Sequence, residues 1–208
     1  MKLFYSPGAC SLSPHIALLE VGAKFELEKV DLRAKTYSKG DYRAVNLKGS
    51  VPAIEMSNGE ILTEGAVILQ YIGDQFPNSN LIPKAGSTER YRTQEWLNFI
   101  ASDIHKGFSV LFAANRWVEN KEGNEQLKHG ARQSLGARFD QLNQHMTGKN
   151  FVMGERFSAP DCYLYTCLRW SKGMEIDLGK WPSIAAFMAR MGERPKVKEA
   201  LAVEGLKP

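Results

Sequence analysis

The spacing of apolar positions changes character near residue 80. Before it, short apolar runs alternate with helical ones. Leu3, Phe4 and Tyr5 predict a buried strand ended by Ser6-Pro7-Gly8, and Ile16, Leu18 and Leu19 after Pro14 predict a helix that stops at Gly22. Phe25 to Val30 alternates apolar and polar and reads as a second strand. Asp31 to Ser50 is polar, contains Lys35, Lys39, Lys48, Gly40 and Gly49, and reads as a loop with one short helix near Asp41 to Val45. Val51 to Met56 and Glu60 to Thr63 flank Asn58-Gly59, a strong hairpin signal, and Ala66 to Ile72 fits a helix closing near Pro77. Residues 1–78 therefore predict a small α/β domain.

Residues 79–87 read as a linker, after which the pattern over 88–208 is helical throughout. Trp96, Leu97, Ile100, Ile104, Phe108, Leu111 and Phe112 recur at helical spacing, as do Leu127, Leu135, Phe139 and Leu142, which predicts two long antiparallel helices. Ser158 and Asp161, with Pro160 between them, predict a capping box at the start of the helix through Cys162 to Leu168. Shorter helices around Ser183 to Met191 and Val197 to Ala202 complete an all-α second half.

A chain of 208 residues, 43% hydrophobic, can bury a substantial core. No run approaches the ~18 apolar residues of a membrane span, and Met1-Lys2 enters a strand without signal-peptide character. A soluble, cytoplasmic protein is expected. Three cysteines without a Cys-x-x-Cys pair argue against a disulfide framework and against a metal site, and fit a reducing compartment. The formal charge is +4, with both signs mixed along the chain, which argues against nucleic acid as a partner and leaves a small anionic ligand open.

Cys10 is the first candidate for chemistry. It falls in a strand-to-helix loop at a helix N-terminus, where free N–H groups and the helix dipole can lower a thiol pKa to ~3.5–7.5. The residues alone leave a reactive thiolate and a small buried residue at a turn both open.

The stretch Phe4-Tyr5-Ser6-Pro7-Gly8-Ala9-Cys10-Ser11 resembles that of the bacterial beta-class glutathione transferases, and the resemblance extends along nearly the whole chain. It implies a thioredoxin-like N-terminal domain and a helical C-terminal domain, with glutathione as co-substrate and no other cofactor. It implies a cis peptide at Val51-Pro52, where the residues alone read as strand punctuation, with the Val51 backbone binding the cysteinyl part of glutathione. Glu64, otherwise a helix-start acid, would hold the γ-glutamyl ammonium, and the Gly65 N–H the adjacent carboxylate. Many relatives carry serine at the position of Gly65. Lys35, otherwise a loop charge, would reach the glycyl end.

In the helical half, Asn98, Ser102, Asp103, His105 and Lys106 share about two turns of one amphipathic helix. As an α-helix it puts Asn98, Ser102 and Lys106 on one face with His105 beside it. A lone histidine there is usually structural, whereas the resemblance implies that Asn98, Ser102, His105 and Lys106 line the cleft opposite the cysteine, with Cys10 and His105 catalytic and Asn98, Ser102, Asp103 and Lys106 contributing to glutathione binding. The implied activity is conjugation of glutathione to an apolar electrophile by a homodimer, with Cys10 able to form a mixed disulfide with glutathione. Glutathione-dependent thiol–disulfide exchange and a non-catalytic scaffold or ligand carrier are the alternatives.

Overall fold

The computed structural model describes residues 1–207. Strand β1 (Lys2–Tyr5) leads through a tight loop into helix α1 (Leu12–Glu20), which ends where Gly22 takes a positive φ, as its position in the sequence predicts. Strand β2 (Glu26–Lys29) pairs parallel to β1. Strands β5 (Ala53–Glu55) and β6 (Ile61–Thr63) form the hairpin predicted around Asn58-Gly59, and β5 runs antiparallel to β1. The sheet order is thus β2-β1-β5-β6. Helix α2 (Gly65–Gln75) follows. The polar segment before β5 holds the expected short helix as a 3₁₀ turn, Tyr42–Ala44. It also holds a two-residue hairpin that the sequence reading missed, β3 (Thr36–Tyr37) with β4 (Gly40–Asp41). These strands are too short to carry an alternating pattern.

Past residue 80 every regular element among the described residues is helical apart from one isolated bridge. Helix α3 (Thr88–Phe99) starts at Ser87, whose hydroxyl caps the Arg90 N–H, and runs into a π-helical turn over Ile100–His105 before α4 (Lys106–Phe112). Helix α5 (Lys121–Met146) is the long antiparallel partner of this segment. Gly107 allows α4 and α5 to approach closely, because a Cβ there would lie 2.7 Å from Leu135 Cδ2.

Helix α6 (Ala159–Arg169) is buried through Leu168. At its start Asp161 accepts from the Ser158 N–H at 2.7 Å and the Val152 N–H at 2.8 Å. The Ser158 hydroxyl donates to the same carboxylate at 2.9 Å. Complete burial nevertheless pushes the Asp161 carboxyl up to about 7 against those donors. Helices α7 (Pro182–Glu193) and α8 (Pro195–Val203) end the fold.

Helix α1 packs on α2, α6 and α8, so one buried apolar cluster runs from Leu3, Ile16 and Ile68 through to Ile104, Phe108 and Leu164. The two halves are joined through this shared core. Among the described residues no helix is long and apolar enough to cross a membrane.

Candidate active site

The junction of the halves encloses a cavity of about 720 Å³. One wall comes from the loop Ser6 to Cys10, the segment Gly49 to Pro52, and Thr63-Glu64-Gly65 at the start of α2. The other comes from Ala101, His105, Lys106, Ser109, Phe112 and Arg116, with Tyr163 of α6 and Trp170 beyond it.

Cys10 lies one residue before the α1 N-cap, Ser11, and is half-buried. Its thiol donates to the Val51 carbonyl at 3.0 Å. Burial, reinforced by the negative charge of Glu64, outweighs the helix-start N–H groups of Cys10 and Ser11 and pushes the thiol up to about 12. Of the two readings the residues leave open, burial thus favours the neutral thiol over the thiolate. A helix N-terminus favours the anion only where its N–H groups outweigh desolvation, and here the balance runs the other way.

The Val51–Pro52 peptide is cis. Lys35, at φ +58, donates from its ammonium to the Gly49 carbonyl at 2.7 Å and lines the cavity. Glu64 is the residue before α2 and sits at φ +72, a region that costs a non-glycine residue ~1–3 kcal/mol and that recurs at ligand sites. Its carboxylate already has a protein partner, Lys48, whose ammonium also reaches Thr63 Oγ1 at 3.2 Å. Gly65 is the first residue of α2, so its N–H belongs to the unpaired donors of a helix start.

The second wall is set along the segment that runs through the π-helical turn, and the row at four-residue spacing that meets the cavity lies one position before the expected one. Ala101, His105, Ser109 and Phe112 face the cavity, and Lys106 reaches it from the edge. Asn98, Ser102 and Asp103, expected there, are not among the lining residues. The Ser102 hydroxyl bonds the Asn98 carbonyl at 3.0 Å and the Asp103 carboxylate at 2.8 Å, and Asp103 pairs with Arg138 at 2.8 Å.

The His105 Nδ1 lies 2.7 Å from the Tyr163 hydroxyl. Burial, with a contribution from the Lys106 charge, depresses the imidazole to about 4. Tyr163 is held as a phenol by burial. Its hydroxyl can donate to Nδ1, which leaves the ring proton on Nε2 as a donor.

Sequence reasoning missed Tyr163, Trp170, Phe112, Arg116 and Lys48 as site residues. Tyr163 and Phe112 fall within apolar helical patterns and read as core, and no local signal marks the others. Trp170 ties the walls together: its Nε1 donates to the Gly8 carbonyl at 2.8 Å, and its ring packs against His105 and Phe112 at 5.0 and 5.2 Å.

Among the described residues no group of three or more His, Cys, Asp or Glu side chains could hold a metal ion.

Residues 8–75 match the family model described as glutathione S-transferase, N-terminal domain, and residues 99–195 the one described as glutathione S-transferase, C-terminal domain. The chain is 45% identical over 208 residues to glutathione S-transferase GstA of Escherichia coli O157:H7, covering all of both chains. It is 43% identical to a sphingomonad glutathione S-transferase solved in complex with glutathione, with a TM-score of 0.91 and full coverage of both chains. It is 41% identical, again with a TM-score of 0.91 and full coverage of both, to a beta-class glutathione S-transferase of Sphingomonas chungbukensis. The thioredoxin-like half and the helical half match those of bacterial beta-class enzymes, and the chain belongs to the glutathione S-transferase family.

Proposed function

We propose that the protein binds glutathione along the first wall of the cavity and conjugates it to an electrophile held against the second. The observation that carries this reading is the convergence on one cavity of the Cys10 thiol, the Val51 backbone, the strained Glu64 and the Gly65 N–H, facing a neutral His105. Glu64 suits the γ-glutamyl ammonium, for which Lys48 must yield, and the α2 N-terminus suits the neighbouring carboxylate. Lys35 suits the glycyl carboxylate.

A free thiol of pKa ~8.5 is only a few per cent ionised at neutral pH, so the site must stabilise the glutathione thiolate. A protonated Cys10 can do so by turning its S–H from the Val51 carbonyl to the glutathione sulfur, and the Nε2–H of His105 is a second donor. The thiolate then attacks the electrophilic carbon, a C–S bond forms, the leaving group departs with its electron pair, and the thiol proton passes to solvent. The same reading includes a homodimer in the cytoplasm.

The Cys10 thiol also supports slower redox chemistry. In its minor thiolate form Cys10 can attack a sulfur of oxidised glutathione, expelling one glutathione thiolate and leaving a mixed disulfide. Ser13 occupies the position of a resolving cysteine, and a high-pKa thiol is a poor leaving group, so the adduct should form slowly and persist.

Titration calorimetry with glutathione, and conjugation of 1-chloro-2,4-dinitrobenzene, test the transferase reading. Glu64→Gln should weaken glutathione binding about tenfold with the fold intact, the loss of one charge-assisted contact. A wild-type protein that neither binds glutathione nor conjugates would return the chain to the scaffold alternative.

A further inference from the structure

The second wall carries more positive charge than glutathione accounts for. Lys35, Lys106 and Arg116 line the cavity against a single acid, Glu64, which Lys48 already matches. No carboxylate among the described residues lies within ion-pair distance of Lys106 or Arg116. Acids of the helical half are engaged elsewhere, Asp103 with Arg138 and Glu175 with Arg132. In the binding mode proposed above, Lys35 and the Gly65 N–H take the two carboxylates of glutathione, and Glu64 takes its ammonium. Arg116 is left over, and so is Lys106, which the resemblance gives to glutathione.

Aromatic surface accompanies these cations. Phe112 is 49% exposed, and it packs edge-on against Trp170, which in turn packs against His105. An aromatic ring fits such a surface, in edge-to-face or offset geometry.

We infer that the electrophile of this site is an aromatic ring bearing an acidic group such as a carboxylate, its ring against Phe112 and Trp170 and its anion at Arg116 and Lys106. This sharpens the apolar electrophile implied by resemblance and rests on the transferase reading. For a nitro-activated chloroarene the glutathione sulfur bonds to the ring carbon, and chloride leaves with the bonding pair. The carboxylate takes no part in the bond changes.

The test is a matched pair of electrophiles, 4-chloro-3,5-dinitrobenzoate and its uncharged carboxamide, assayed with wild type, Arg116→Met and Lys106→Met. With each kcat/KM divided by the uncatalysed rate constant of that compound with glutathione, wild type should favour the acid by about fivefold, as expected for exposed charge pairs, and the preference should shrink as salt is added. Each variant should lower that ratio. Both side chains are exposed, so the variants are expected to fold, and glutathione titration of each checks this. Conjugation of the carboxamide with no preference for the acid overturns this inference alone. So does a preference that survives in Arg116→Met, or a glutathione KM that rises equally with both electrophiles and gives the cations to glutathione. Conjugation of neither compound overturns the transferase reading with it.

Discussion

The two walls of the cavity are made by different means. The first offers mainly backbone groups at the ends of regular elements: the loop after β1, the Val51 peptide before β5, and the N–H groups at the start of α2. The second offers side chains, with His105, Tyr163, Trp170 and Arg116 arriving from four separate helical segments. Peptide groups cannot be exchanged by substitution, which suits a wall that receives an invariant co-substrate. Side chains can be exchanged one at a time without altering the fold, which suits a wall that selects the variable substrate. The first wall nevertheless depends on the second half for its shape. Gly8, at φ +73, is held on both peptide groups from the helical half: its carbonyl accepts from Trp170, and its N–H donates to Glu204 at 2.9 Å.

That dependence gives the largest effect expected. Glu204 is buried and also lies 2.9 Å from the Nδ1 of the equally buried His15 on α1. Glu204→Ala strands both His15 and the Gly8 N–H in the interior, which should cost ~3–5 kcal/mol in chemical denaturation and weaken glutathione binding through the loosened loop. Glu204→Gln keeps an acceptor and should lose less. A loss below ~1 kcal/mol for the alanine variant would mean that the first wall holds itself.

The ionisation states sharpen the contrast next, one group from each wall. With Cys10 raised to about 12, its alkylation by iodoacetamide should stay slow through pH 9 and climb only beyond it. Rapid alkylation near neutrality, levelling off below pH 8, would restore the thiolate. For His105 the folded value, about 4, lies below the unfolded value near ~6.5. Between these values the unfolded chain binds the proton and the folded one does not. The contribution of His105 to stability is therefore complete above pH ~6.5 and is lost as the pH falls toward 4. The pH profile of kcat/KM should accordingly show no histidine step near 6.5.

The same contrast explains what the sequence disclosed. The strands of the four-stranded sheet, the Asn58-Gly59 hairpin and the helix start at Ser158, and thus the placement of Cys10, Val51 and Gly65, follow from local patterns of a few residues. The second wall does not. Of the row Asn98, Ser102 and Lys106 only Lys106 lines the cavity, and the row Ala101, His105 and Ser109 carries that face instead, a choice that the periodicity of the apolar positions does not announce. Tyr163 was hidden because its aromatic body fits the buried pattern of α6, and only the fold brings its hydroxyl to His105. The state of the Cys10 thiol was left open for a related reason: the helix start is local and legible, whereas the burial that overrides it comes from residues far along the chain.

The smallest effect expected lies within the first wall, at the one position where a side chain can be added to it. Gly65 has no positive φ, and a Cβ there would meet Pro52 Cγ at 3.7 Å, Tyr163 Cζ at 3.9 Å and Ser13 Oγ at 4.0 Å, all ordinary contacts. Gly65→Ser should therefore fold without strain and gain ~0.5 kcal/mol, because serine is less flexible than glycine in the unfolded chain and the better helix residue. Its hydroxyl would join the Gly65 N–H at the helix start, in reach of the carboxylate proposed to dock there. One added hydrogen bond is worth ~0.5–1.5 kcal/mol, so glutathione affinity by calorimetry should rise about two- to tenfold. The gain should be the same with any electrophile if the second substrate is held against the other wall, as proposed. Unchanged or weaker binding in a stable variant would mean that the carboxylate sits elsewhere and that the start of α2 is not its anchor.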